Sequence, residues 1–185
     1  MGLREDVVRV LSSRETNRIA FTFRGKSNMP VSVDSSSFKR VLQAIHANRI
    51  HFHPGGVPAG AAKYRSSTNT FFMGRMPRDS RLYDALIVHE MVHASFDLSH
   101  SVLQHVDSEA AAYIAQGFFL RTSGFNSSRL PTANDQQEIL LGFLIAEHVQ
   151  HNNPVPQLSL DELRQSLLHN SHYQSYIRGT FRGNG

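Results

Sequence analysis

With 185 residues, 40% of them hydrophobic, the chain is long enough for one domain with a real core and short for two, so a single domain over residues 1–185 is expected. There is no cysteine, which excludes disulfide frameworks and cysteine-based zinc ribbons. The formal net charge is only +4, with basic residues dispersed from Arg4 to Arg49 and in no dense run thereafter; this disfavours a nucleic-acid-binding tract, and no stretch is apolar for long enough to span a membrane.

The first residues, Met1-Gly2-Leu3-Arg4-Glu5-Asp6, are charged and lack the apolar stretch of a signal peptide. A protein that starts in the cytoplasm is expected, with export only by a route that reads no N-terminal signal, or by excision from a longer polypeptide. A short helix is predicted over 3–14 and a strand over 19–23, where apolar and β-branched residues predominate. After Ser35-Ser36-Ser37, the spacing of Phe38, Val41, Leu42 and Ile45 predicts a helix over 38–47. A strand over 49–53 is closed by Pro54-Gly55-Gly56, and segments 61–64 and 68–74 make a hairpin around Arg65-Ser66-Ser67. Further helices are predicted around residues 84–96, and over 107–121, 134–151 and 159–169, the last opened by Ser159-Leu160-Asp161-Glu162 in the manner of a capping box. Arg182-Gly183-Asn184-Gly185 has the composition of a frayed tail. A small sheet followed by helices implies an α+β fold.

The most informative segment is His89-Glu90-Met91-Val92-His93. Eleven histidines and the glutamates of this chain, scattered at random, would give an HExxH pattern only about 2 times in 100. On a helix the two histidines share one face and can hold one Zn²⁺, while Glu90 can take a proton from an attacking water. The flanking residues, from Ala85 to Val88 and from Met91 to Phe96, are mostly apolar. Histidine and glutamate are costly in such a buried helix unless a partner satisfies them, and a metal is such a partner.

A hydrolytic zinc site has three protein ligands and one open position. His100, His105, Asp107 and Glu109 are all within reach as the third ligand. The metzincin pattern is disfavoured, because its glycine and third histidine would fall on Phe96 and Ser99. Asp107-Ser108 can cap a helix whose alanines, Ala110, Ala111, Ala112 and Ala115, permit close approach to a neighbour. Over residues 84–116 the chain resembles the gluzincins, the thermolysin-like zinc metallopeptidases, in which a glutamate on a second helix follows the HExxH. The resemblance implies a helical zincin-like core with the small sheet packed on it, His89, His93 and Glu109 as zinc ligands, Glu90 as general base, and a peptide or protein substrate. The chain departs from that group at position 113, where Tyr113 stands in place of an aspartate that orients the first histidine. Tyr113 is a candidate hydrogen-bonding partner for that histidine. Tyr113, His148 and Tyr64 are candidate transition-state donors. Thr70-Phe71-Phe72-Met73, just before the HExxH helix, resembles the sheet edge on which zincins bind an extended peptide.

Two other histidine groups, His51 with His53 and His148 with His151, lack an accompanying motif and read as surface residues. A zincin-like module without catalysis, acting as a toxin-like or scaffolding binding protein, is the alternative function. Glu90 argues against it, since a structural metal site needs no base and closes with four protein ligands.

Overall fold

A computed structural model describes residues 2–130, 137–149 and 154–185. Helix α1 (Leu3–Leu11) buries Val7, Val10 and Leu11 on one face, and α2 (Arg14–Asn17) follows as a separate turn. The predicted single helix over 3–14 is divided because Ser13 is extended and its side chain accepts the Thr16 N–H at 3.2 Å, starting a new helix. Strands β1 (Phe21–Arg24) and β2 (Pro30–Val33) form an antiparallel pair in which Phe23 faces Val31. Helix α3 (Ser35–His46) starts earlier than expected, because Asp34 caps it by accepting the N–H groups of Ser36 and Ser37.

A three-stranded sheet then forms from β3 (His51–Pro54), β4 (Ala62–Arg65) and β5 (Thr70–Met73). Its order is β3-β5-β4, with β5 parallel to β3 and antiparallel to β4. The predicted hairpin is present, but β5 is the central strand, so Thr70–Met73 cannot receive an added strand. The edges are β3 and β4, and β4 is the one that meets the HExxH helix. The Tyr64 N–H on β4 donates to the Glu90 carboxylate at 2.7 Å, so β4 turns its unpaired side toward the HExxH helix.

That helix, α4 (Arg81–Leu98), is capped by Ser80, whose hydroxyl accepts the Tyr83 N–H. It is buried on almost every side, as its apolar composition requires. It stops at His100, which takes a left-handed φ of 53°, while the His100 and Ser101 N–H groups bond back to Asp97 and Phe96. A three-residue strand, β6 (Val102–Gln104), leads into α5 (His105–Thr122), of which every residue from Val106 to Leu120 is buried. This helix begins two residues before the predicted start. Asp107 and Ser108 therefore lie within its first turn rather than capping it.

Helices α6 (Gln137–Val149) and α7 (Gln157–His169) complete the helical layer. The predicted ends of α6, at 134 and 151, and with them His151, lie outside the described residues. Helix α7 begins at Gln157 after Pro156 rather than at the Ser159 box. The chain ends with β7 (Thr180–Arg182), which pairs antiparallel with β6. Residues 183–185 are not frayed: the Asn184 N–H donates to Asp97 Oδ1 at 2.8 Å and Gly183 packs on the end of α4. The fold is α+β, and one continuous cluster of buried apolar side chains runs through helices and sheets. Among the described residues no helix is long and apolar enough to cross a membrane.

Small residues set the spacing of the helices behind the site. A Cβ on Gly142 of α6 would stand 2.3 Å from the Tyr113 carbonyl oxygen, and one on Gly117 of α5 would stand 2.4 Å from the Gly142 carbonyl carbon. Gly142→Ala gains about 1 kcal/mol of helix propensity but forces the two backbones apart, at the upper end of the about 1–3 kcal/mol for overpacking. A net loss of about 1–2 kcal/mol is expected, read as a lower urea midpoint. An unchanged midpoint would show that the two helices do not need this close approach.

Candidate metal centre

Helical spacing places His89 and His93 one turn apart on α4, with ring centroids 5.2 Å apart. The small residues of α5 let it pack against that face, and Glu109, in the second turn of α5, brings one carboxylate oxygen to both rings. Its Oε2 lies 3.4 Å from His89 Nε2 and 3.6 Å from His93 Nε2. A tetrahedral zinc with ligand distances of about 2.0–2.2 Å has neighbouring ligand atoms about 3.3–3.6 Å apart, so these two separations suit one ion. Among the described residues these three side chains are the group that could hold a metal ion.

The imidazoles are oriented from behind. His89 Nδ1 pairs with Gln116 Oε1 and His93 Nδ1 with Ser108 Oγ, each at 2.9 Å. Gln116 Oε1 can only accept, so His89 carries its proton on Nδ1 and turns the Nε2 lone pair toward Glu109. The same tautomer suits His93, whose Nδ1–H can donate to the serine hydroxyl. Tyr113 does not take the place of the missing aspartate. Its ring stands edge-on to His89 at 4.6 Å, and its hydroxyl hydrogen-bonds to Tyr173. The acceptor for His89 comes instead from Gln116, seven residues beyond Glu109.

Charge gives a further test of fit. His89, Glu90 and Glu109 are all buried, and Glu109 Oε2 is a buried oxygen without a hydrogen-bond donor. Among the described residues no lysine or arginine pairs with either carboxylate. Burial, the largest influence on Glu109, would raise its pKa, but His93 and His89 together outweigh it and hold the carboxyl well below the usual range. Burial likewise pushes His93 down, and the Glu109 carboxylate reverses this to a net rise. An orphaned carboxylate oxygen facing two imidazole nitrogens, beside a second uncompensated carboxylate, is the donor set that a divalent cation satisfies.

Glu90 points out of the cluster toward the sheet, where its Oε2 accepts from the Tyr64 N–H. Tyr64 therefore reaches the site with its backbone. Its hydroxyl donates to Asp97 Oδ2 at 2.9 Å, which removes it as a transition-state donor. His148 is exposed on α6, beside the Glu147 that pairs with Arg121 at the far end of α5, and is not brought to the cluster. The other candidate ligands are also placed elsewhere. His100 ends α4, His105 packs its ring against Tyr176 and Phe181, and Asp107 is fully buried in an ion pair with Arg164. His51 and His53 are exposed on β3.

Three residues of the site, Ser108, Gln116 and Tyr176, escape the sequence reading, as does Tyr173 beside them. Gln116 shares a face of α5 with Glu109 two turns on, Ser108 flanks that face, and a glutamine amid apolar positions is the one signal present in the sequence. Tyr173 and Tyr176 come from residues 170–179, a turn-rich connection between α7 and β7 without periodic pattern. The Tyr176 hydroxyl donates to Glu109 Oε1 at 3.2 Å. Burial and the Glu109 charge push the phenol of Tyr176 upward, so it remains a donor at neutral pH; burial, with neighbouring charges that include Glu109, does the same for Tyr113 and Tyr173.

No protein-family model matches the chain, and neither the curated proteins nor the solved structures contain a match.

Proposed function

We propose that the chain is a zinc-dependent metallopeptidase of zincin type, with His89, His93 and Glu109 as zinc ligands and Glu90 as general base. The observation that carries this reading is the convergence of two Nε2 atoms on the unpartnered Glu109 Oε2, next to a carboxylate held against an open strand edge. Bound zinc would supply Lewis acidity toward a scissile carbonyl and toward water.

The chain's own groups supply the rest. Ser108 and Gln116 fix the imidazoles so that both Nε2 lone pairs face the Glu109 oxygen. The Glu90 carboxylate accepts a proton from the attacking water and delivers it to the leaving amine, and the Tyr64 N–H orients it for both transfers. Strand β4 supports a peptide substrate, since an extended chain can align along its unpaired edge through backbone hydrogen bonds largely independent of sequence. On this reading the substrate lies along β4, next to Glu90, because Thr70–Met73 is the central strand.

Elemental analysis tests the proposal directly. The purified chain should hold about one zinc, and His89→Ala and His93→Ala should each reduce that to a small fraction. Hydrolysis of an unstructured peptide mixture should stop on chelation and return with zinc. If both variants keep the wild-type zinc content, the cluster is not the site.

A further inference from the structure

We infer that Tyr176 is a positioning residue for the metal, its hydroxyl holding the Glu109 carboxylate so that only one oxygen faces the ion. The inference rests on the zinc-site reading above and extends it to how the open coordination position is kept. The two oxygens of Glu109 are not equivalent. Oε1 accepts the Tyr176 hydroxyl at 3.2 Å, while Oε2 lacks any donor and faces His89 and His93. A carboxylate with both oxygens free can swing to grip an ion with both, filling the position that a hydrolytic site needs for water or substrate. Here that rotation would break the hydrogen bond from the Tyr176 hydroxyl and leave a buried carboxylate oxygen without its donor.

The placement of Tyr176 is built into the chain. Its backbone sits in consecutive turns, with Tyr176 N–H bonded to Tyr173 O and Gly179 N–H bonded to Tyr176 O. Ile177 beside it is fully buried. The His105 N–H donates to Gly179 O at 3.0 Å, and the His105 ring stands edge-on to Tyr176 at 5.2 Å. His105 is the first residue of α5 and Glu109 lies one turn on, so one anchor sets both the hydroxyl and the carboxylate that it holds. Tyr173 lies alongside but its hydroxyl hydrogen-bonds to that of Tyr113, which makes it the natural control.

The test compares wild type, Tyr176→Phe and Tyr173→Phe for Zn²⁺ affinity, by competition with a chromogenic chelator, and for the visible spectrum with Co²⁺. Tyr176→Phe keeps the ring and its edge-on contact with His105, and should weaken zinc binding by about 10–100-fold. Its Co²⁺ absorption should lose intensity as a four-coordinate ion gains a fifth ligand. Tyr173→Phe should keep the wild-type affinity and spectrum. The inference is overturned if Tyr176→Phe matches wild type in both readouts, or if the two variants lose affinity equally, which would assign the effect to packing. X-ray absorption on the zinc-loaded wild type gives a check that depends on no variant: one carboxylate oxygen is expected, and two would overturn it. A wild type that takes up neither metal removes the zinc-site reading itself, whereas zinc uptake with an indifferent Tyr176 removes this inference alone.

Discussion

Glu90→Gln is expected to lower peptide hydrolysis by about 10²–10⁴-fold while the zinc content stays at the wild-type level. Glutamine has the shape of glutamate, and its side-chain oxygen can still accept the Tyr64 N–H that glutamate accepts at 2.7 Å. The helix and the strand edge should therefore keep their places, and neither His89 nor His93 loses a partner. What disappears is the ability to take a proton. Removing a buried carboxylate that has no lysine or arginine beside it also removes an electrostatic cost, so the melting temperature of the metal-free protein should hold or rise. The measurement is kcat on a peptide substrate beside zinc content for the same preparation. A variant retaining a third or more of wild-type turnover would take Glu90 out of the mechanism.

The HExxH helix is legible in the sequence because its signal is local. Two histidines and a glutamate at fixed spacing, amid apolar neighbours, define a face and a chemistry before any tertiary contact is known. Glu109 is legible for a related reason. The alanines that follow it announce a helix able to pack closely, and close packing brings the carboxylate within 3.4 Å of His89 Nε2. Helix ends are less legible. Asp34 and Ser13 act as caps through side-chain geometry that composition does not rank, and Ser159, which has the right neighbours for a capping box, lies inside a helix already begun at Gln157.

Strand order is not a local property, which is why Thr70–Met73 reads as an edge and proves to be central. The β3–β5 pairing is parallel and joins residues about twenty positions apart, and nothing in either segment marks its partner. The same holds for β6 and β7, three residues each, which pair across most of the C-terminal half. Tyr173 and Tyr176 reach Tyr113 and Glu109 only because β7 and the buried Ile177 pin the preceding turns against α5. A tyrosine in an aperiodic segment gives no sign of this.

Asp107 shows how position alone misleads, and its partner carries the largest stability effect expected outside the His89–His93–Glu109 cluster. Two residues before Glu109, it has the chemistry of a ligand, yet Arg164 of α7 grips its Oδ1 through Nη2 at 2.6 Å and Nε at 3.0 Å. The Lys26 N–H donates to its Oδ2 at 2.7 Å, and Arg164 reaches on to the Arg24 carbonyl at 2.8 Å. Both charged side chains are almost wholly buried, so this ion pair ties α5, α7 and the end of β1 together where water cannot substitute. Arg164→Met leaves the Asp107 carboxylate buried with one backbone donor, a change that costs about 3–5 kcal/mol. In a chain of this size that corresponds to about 2–4 °C of melting temperature for each kcal/mol. Asp107→Leu should be damaging too, because it leaves a buried guanidinium that cannot shed its charge with, among the described residues, only the half-exposed Asp161, 3.2 Å from its Nη1, as counter-ion. The double variant Asp107→Leu with Arg164→Met should recover much of the loss, since an apolar pair of similar volume leaves no charge unpaired. Urea unfolding of the four metal-free proteins closes the cycle. Losses that simply add in the double variant would show that the two charges do not depend on each other.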